Sequence, residues 1–218
     1  MERYFLLNDF NTWLDWRLIL TSKDVTPPEP KTNYINIDGM SGSLDISESL
    51  TGDVTYQDRT VTASFWTNEG TYADRENLLN TIISELHGKK IKIVEPDAPY
   101  NYFLGRVVIK SRANNKSYAE FAIECICEPW RYANRDTVRT FIVDSLLPQN
   151  VILQNGGAKK VYPTVKVDGS VTITYGDFSI GLKSGEYSLP DIKLEKGFNI
   201  VTLTGSGTLI FTYKEADL

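Results

Sequence analysis

The stretch Asn33–Trp66, NYINIDGMSGSLDISESLTGDVTYQDRTVTASFW, limits the architecture of this chain most strongly. It holds two β-like runs, Tyr34 to Asp38 and Val54 to Trp66, on either side of a segment carrying Gly39, Gly42 and Gly52 among Ser, Asp and Thr. In the second run Val61, Ala63 and Phe65 share one face and Thr60, Thr62 and Ser64 the other, the period of two of a half-buried strand. Glycines supply the positive φ that tight turns require, so the segment reads as a shaped loop between paired strands. No metal, phosphate or nucleophile motif lies inside it.

Other segments repeat the strand signature. Asn11 to Leu20 reads as a short strand with Trp16, Leu18 and Leu20 on one side, and Trp13 and Trp16 read as anchors to a core or neighbouring subunit in preference to a sugar platform. In VTPPEPK, Pro27, Pro28 and Pro30 are expected to forbid ladder pairing and hold an extended spacer. Lys89 to Val94 and Tyr102 to Lys110 read as a strand pair joined by EPDAPYNY. From Tyr118 to Glu128, Ala119, Phe121, Ile123, Cys125 and Cys127 oppose Glu120, Glu124 and Glu128. A slip of one residue would bury those glutamates, which therefore read as the wet face of a sheet and not as an acid cluster.

Between Thr71 and Gly88 the period changes to 3.6, with Leu78, Leu79, Ile82, Ile83 and Leu86 on one side. Thr71 and Asp74 form a capping-box start and Gly88 a left-handed stop. His87 falls in the last turn, where the helix dipole favours a cation. After FIVDSLLPQN, which reads as a crossing strand or a linker, seven short strand patterns run from Val151 to Tyr213. They are separated by Asn155-Gly156-Gly157, Asp168-Gly169, Gly176-Asp177, Ser184-Gly185, Lys196-Gly197 and Gly205-Ser206-Gly207, the mark of a β-sandwich or jelly roll.

Composition sets the division and excludes several functions. All four Trp, both Cys, the single His and every Arg precede position 140, which places a boundary there. Charge is mildly acidic, −5 overall, with no long run of one sign, so neither nucleic acid nor an anionic membrane is an expected partner. No apolar run approaches the roughly 20 residues that cross a bilayer. Cys125 and Cys127 lie two apart on one strand and read as reduced and packed, and one histidine with two such thiols makes a poor zinc site. No cofactor, metal or catalytic residue is expected, and the chain reads as a non-enzyme.

The spacing of Gly39, Gly42, Leu44 and Asp45 with Tyr56 and Arg59 resembles the N-terminal signature of distal tail (Dit) proteins, baseplate hub components of siphophages and prophages. Asn11-Thr12-Trp13, Pro30-Lys31-Thr32, Leu86-His87-Gly88-Lys89, Gly105-Arg106-Val107, Pro129-Trp130, Gly197-Phe198-Asn199 and the closing GSGTLIFTYKEADL fit the same family. Asp38 stands where many relatives have proline, and Ser41 where many have Asp.

The resemblance implies a mainly β, β-rich α+β chain. Residues 1–140 would form a β-sandwich-like ring domain with one helix at about 71–87 and a protruding hairpin. Residues 141–218 would form a jelly-roll β-sandwich like a galectin or carbohydrate-binding module. It also implies a homohexameric ring at the virion tail tip, assembled in the bacterial cytoplasm. The implied partners are the tail tube protein, a tail-associated lysin or tail fibre protein, and receptor-binding proteins. Gly39, Gly42, Asp45, Tyr56, Arg59, Gly88, Gly105, Arg106 and Pro129 are the expected structural signature residues. A carbohydrate-binding adhesin acting through the C-terminal sandwich is the second expectation.

Overall fold

The computed structural model describes residues 4–218, with the backbone alone at Ser145 and Leu146. The chain divides into two compact units, one ending at Arg131 and the other beginning at Tyr132. This corrects the expected boundary at 140/141. Thr137 to Thr140, which read as a polar exit, already pair with Tyr213 to Ile210 and so belong to the second unit's sheet.

The first unit is built on an antiparallel sheet of seven strands: β1 (Leu6–Leu7), β2 (Phe10–Asn11), β3 (Ile19–Val25), β6 (Arg59–Thr67), β7 (Lys90–Val94), β8 (Asn101–Asn114) and β9 (Ala119–Cys127). Two further strands, β4 (Tyr34–Asn36) and β5 (Ser43–Asp45), form a separate hairpin. The sheet order is β2-β1-β7-β8-β9-β6-β3. Register shifts at Leu20/Ser22 and Ile109/Ser111 sharpen its twist. The curl brings Lys23 of β3 onto Glu95 and Asp97, which follow β7 four places away in the sheet. Inside the curl, Val61, Ala63 and Phe65 meet Phe121, Ile123, Cys125 and Cys127. On the outer face Glu124 pairs with Lys110 and Glu128 with Lys90, the solvated carboxylate row that the alternation requires.

Helix α1 (Tyr72–Leu86) closes this core with Leu79, Ile82 and Leu86, each worth about 1.5–3 kcal/mol when buried. Its start is a complete capping box, because Thr71 Oγ1 accepts from Asp74 N–H and Asp74 accepts from Thr71 N–H. Gly88, at φ +77, turns the chain out as expected. His87 takes a capping role at this end. It is the C-cap residue, and its Nδ1 accepts the Ile109 N–H at 3.1 Å, tying the helix end to β8.

The N-terminus also differs from expectation. Asn11 Oδ1 accepts from the N–H groups of Trp13 and Leu14, so a turn interrupts the expected 11–20 strand and β3 begins at Ile19. Trp16 is buried and stacks on Phe10 at 4.9 Å, which makes it a core anchor.

A short strand, β10 (Arg131–Ala133), spans the division, and Ala133 N–H donates to Glu215 O beside the terminal strand β15 (Ala216–Asp217). The second unit's sheet has four long strands: β11 (Thr137–Asn155), β12 (Thr164–Tyr175), β13 (Phe178–Ser188) and β14 (Gly197–Tyr213), in the order β11-β14-β12-β13. Three of the expected turns, Asp168-Gly169, Ser184-Gly185 and Gly205-Ser206-Gly207, are therefore bends inside continuous strands, and FIVDSLLPQN is strand. Only Gly176-Asp177 makes a two-residue hairpin, between Tyr175 and Phe178.

The bends lie side by side, and they fold the sheet onto itself. Gly169 opposes Gly207 and Val171 opposes Gly205. A Cβ at Gly169 would sit 2.3 Å from Ser206 O, and one at Gly207 would sit 2.4 Å from Asp168 O, so no side chain fits. Val165, Val167, Val171 and Ile173 keep one parity through the bend, as do Val201, Leu203, Leu209 and Phe211, and all face one shared core. Tyr213 Oη donates to Gln154 O at 2.6 Å, joining residues from opposite ends of the β11–β14 ladder. A sandwich thus forms from one sheet.

Candidate functional site: the arm and the arginine end

The nine signature residues gather at three places. Gly39, Gly42 and Asp45 lie on an arm that leaves the first unit's sheet between β3 and β6. The arm is a two-stranded ribbon and not the expected unpaired spacer. Thr26 N–H donates to Thr60 O, Gln57 N–H to Glu29 O, Lys31 N–H to Thr55 O and Ile46 N–H to Asn33 O. Pro30 bridges Tyr56 within it, because its neighbours supply the donors that proline lacks. At the far end Tyr34, Ile35 and Asn36 of β4 pair with Asp45, Leu44 and Ser43 of β5. Gly39 and Gly42 turn this hairpin at φ +84 and +83. Asp45 accepts from the Ser47 hydroxyl and N–H, which hold its carboxyl below the usual range.

Every residue of β4 and β5 is exposed, including Tyr34, Ile35 and Leu44. Ile37, Met40, Leu50 and Val54 on the same arm are exposed as well, Leu50 at 99%. A lone two-stranded hairpin with no covered face has little stability of its own in water. Residues 33–58 also contain five acidic side chains, Asp38, Asp45, Glu48, Asp53 and Asp58, and no Lys or Arg.

Gly88 and Arg106 meet at the second place. Arg106 Nη1 donates to Gly88 O, and Gly88 N–H donates to Val107 O at 2.8 Å, so both fasten the helix exit to β8.

Tyr56, Arg59, Gly105 and Pro129 converge at the third, one end of the first unit's core. Tyr56 packs edge-on against Trp130, which Pro129 precedes, with ring centres 5.6 Å apart. Gly105 lets β8 approach β9, since a Cβ there would lie 2.4 Å from Cys127 Sγ. Arg59 continues the inward stripe of Val61, Ala63 and Phe65 and is 3% exposed. Its guanidinium carbon lies 5.1 Å from the Phe103 ring centre, and Arg131 lies at the same distance from that ring. Arg131 Nη2 contacts Glu95 Oε1 at 3.1 Å, and the other Glu95 oxygen takes Lys23. Burial, reinforced by the Arg131 charge, pulls the Arg59 value down.

Sequence reasoning passed over Lys23, Glu95, Phe103 and Arg131. They come from separate elements, and no spacing links them. Both cysteines are buried free thiols, and burial pushes Cys127 up to about 12. Among the described residues no group of three or more His, Cys, Asp or Glu is placed to hold a metal.

No family model matches the chain, and no curated protein matches it. Solved structures do. The crystal structure of the SPP1 Dit protein (gp 19.1), described as a paradigm of the hub adsorption apparatus in phages infecting Gram-positive bacteria, aligns with a TM-score of 0.72. Sequence identity is 13%, and the alignment covers 98% of this chain and 99% of that one. The likeness spans both units, and the chain has, from end to end, the fold of the distal tail protein Dit.

Proposed function

We propose that this chain is a distal tail protein. In this reading its copies close into a ring at a phage or prophage tail tip and join the tail tube to tail-associated and receptor-binding proteins, with no bond-making chemistry of its own. The observation that carries the reading is the arm. An exposed ribbon with uncovered apolar side chains, and only acidic charges between residues 33 and 58, is unfavourable in isolation and becomes favourable once a neighbouring copy covers it. Head-to-tail repetition of such a contact closes into a ring when the rotation allows.

Sedimentation and negative-stain microscopy of the whole chain test this. Closed rings are expected, with Ile35→Asp/Leu44→Asp shifting the population to monomer while the monomer stays folded. Monomer alone across micromolar to millimolar concentrations, with and without tail components, overturns the proposal.

A second reading, sugar binding by the second unit, rests on Phe198 and Tyr162, which are 74% and 52% exposed. A glycan array probed with the intact protein separates it from the hub.

A further inference from the structure

We propose that the β11 edge of the second unit's sheet pairs with the same edge of a second copy of this chain, antiparallel about a two-fold axis at Ile152. β11 ends the sheet order, and β14 is its strand partner among the described residues. Exposed strand edges are normally guarded by lysine, proline or a bulge. Pro148 and the register shift between Ser145 and Gln149 guard the middle of β11, but residues 149–155 carry no such guard. No charged residue stands between Asp144 and Lys159, or anywhere in β14. The opposite edge differs, because residues 178–182 of β13 are interrupted by Gly181 and flanked by Asp177 and Lys183.

The order of the residues identifies the occupant. Residues 149–155 read QNVILQN, a palindrome in chemical class about Ile152. Turned on itself, this stretch sets Ile152 against its own copy, Val151 against Leu153, Asn150 against Gln154 and Gln149 against Asn155. An interface across a two-fold axis requires this self-complementarity. Both faces of the strand match. Val151 and Leu153 are buried in the second core, whereas Asn150, Ile152 and Gln154 are exposed. On the exposed face Ile152 lies opposite Ile200, and Gln154 opposite Phe198. Pairing lines up Ile200, Ile152 and their two copies in one row across the axis, covering side chains that are 61% and 54% exposed. In the rows on either side the Asn150 and Gln154 amides meet, each with donors and an acceptor. Gln154 O already accepts the Tyr213 hydroxyl, and a carbonyl has a second lone pair for a ladder bond. A ladder of seven residues is about 23 Å long, a smaller contact than durable interfaces make, so the pairing is weak and is read toward millimolar concentration.

The full chain carrying Ile35→Asp/Leu44→Asp takes the arm out of the measurement, so the outcome does not depend on the ring. In sedimentation equilibrium this variant is expected to pass from monomer at low micromolar to dimer toward millimolar concentration. Adding Ile152→Lys sets like charges opposite each other at the axis and is expected to weaken the dimer by about tenfold. Its unfolding midpoint should hold, because Ile152 faces solvent in the single copy.

Cysteine cross-linking fixes the register. Ile152→Cys brings two thiols together on Cα atoms about 5 Å apart, within disulfide reach, whereas Gln154→Cys leaves them about 13 Å apart. Only the first is expected to give a covalent dimer under mild oxidation, since Cys125 and Cys127 are buried. A dimer that survives Ile152→Lys, or equal cross-linking at both positions, overturns the proposal. Monomer at every concentration also overturns it and leaves the edge to a strand of a different chain. If Ile152→Lys does not fold, the cysteine pair decides by the same rule. Rings in the wild type without dimers in the arm variant sink this inference and keep the hub, and dimers without rings do the reverse.

Discussion

The two units solve the same problem, closing an antiparallel sheet around a core, by different means. The first curls seven strands through bulges, closes the core with α1, and tolerates charge inside at Arg59 and Glu95. The second folds four long strands across a line of glycines and fills the fold almost wholly with Val, Leu, Ile and aromatic rings. A sheet with a helix over it needs no sharp crease, so its glycines serve turns and one close approach at Gly105. A sheet that must cover itself needs the crease, and the missing Cβ atoms supply it.

Substitutions at the crease should separate the two units most clearly. Gly207→Val pushes a Cβ to 2.4 Å from Asp168 O and should cost the second unit about 3 kcal/mol. Urea unfolding followed by circular dichroism should show an early transition, while the tryptophan signal keeps its midpoint. If both move together, the units do not unfold independently. In the first unit, Ile82→Ala should cost about 2–5 kcal/mol, because Ile82 is 1% exposed in the packed core. Here the tryptophan midpoint should fall and the second transition should hold.

Smaller effects sharpen the same contrast. Thr71→Ala removes a capping oxygen and should lower first-unit stability by about 1 kcal/mol. The Thr71 hydrogen bonds depress the Asp74 carboxyl below its ordinary 3.8. A depressed acid stabilises above its unfolded value, so this contribution is present above about pH 4 and is lost as pH falls through the lower native value. Asp74→Asn should flatten that acid limb in a pH series of unfolding midpoints. The smallest effect is chemical. With Cys127 raised to about 12 and Cys125 raised further, neither thiol should react with an aromatic disulfide reagent at pH 8 until urea exposes both.

What could be read beforehand follows from the range of the forces involved. The helix was legible because Thr71, Asp74, the Leu79–Leu86 stripe and Gly88 are all local signals. The register of β9 was legible because glutamates alternate with apolar residues. The crease was not legible. Gly169 and Gly207 have the same conformational freedom in a turn as in a bend, and only their pairing across 38 residues tells the two apart. The arm was misread for a similar reason, since proline's missing donor rules out its own bond and not those of Lys31 and Gln57. The Arg59 end assembles from β3, β6, β8 and the segments after β7 and β9, with no sequence spacing to reveal it.

Pro27, Pro28 and Pro30 stand at the root of the arm, Pro30 in the bridge to Tyr56. Each removes backbone freedom from the chain whether or not anything is bound, so in the proposed ring that part of the ordering would be complete before a neighbour docks. The root therefore behaves as a stiff stem, and the conformational entropy lost in the proposed association would fall mainly on the glycine-rich tip. If the proposed ring forms, loosening the stem with glycine should slow its assembly and leave the folded subunit unchanged, a separation of kinetics from architecture that few residues in this chain offer.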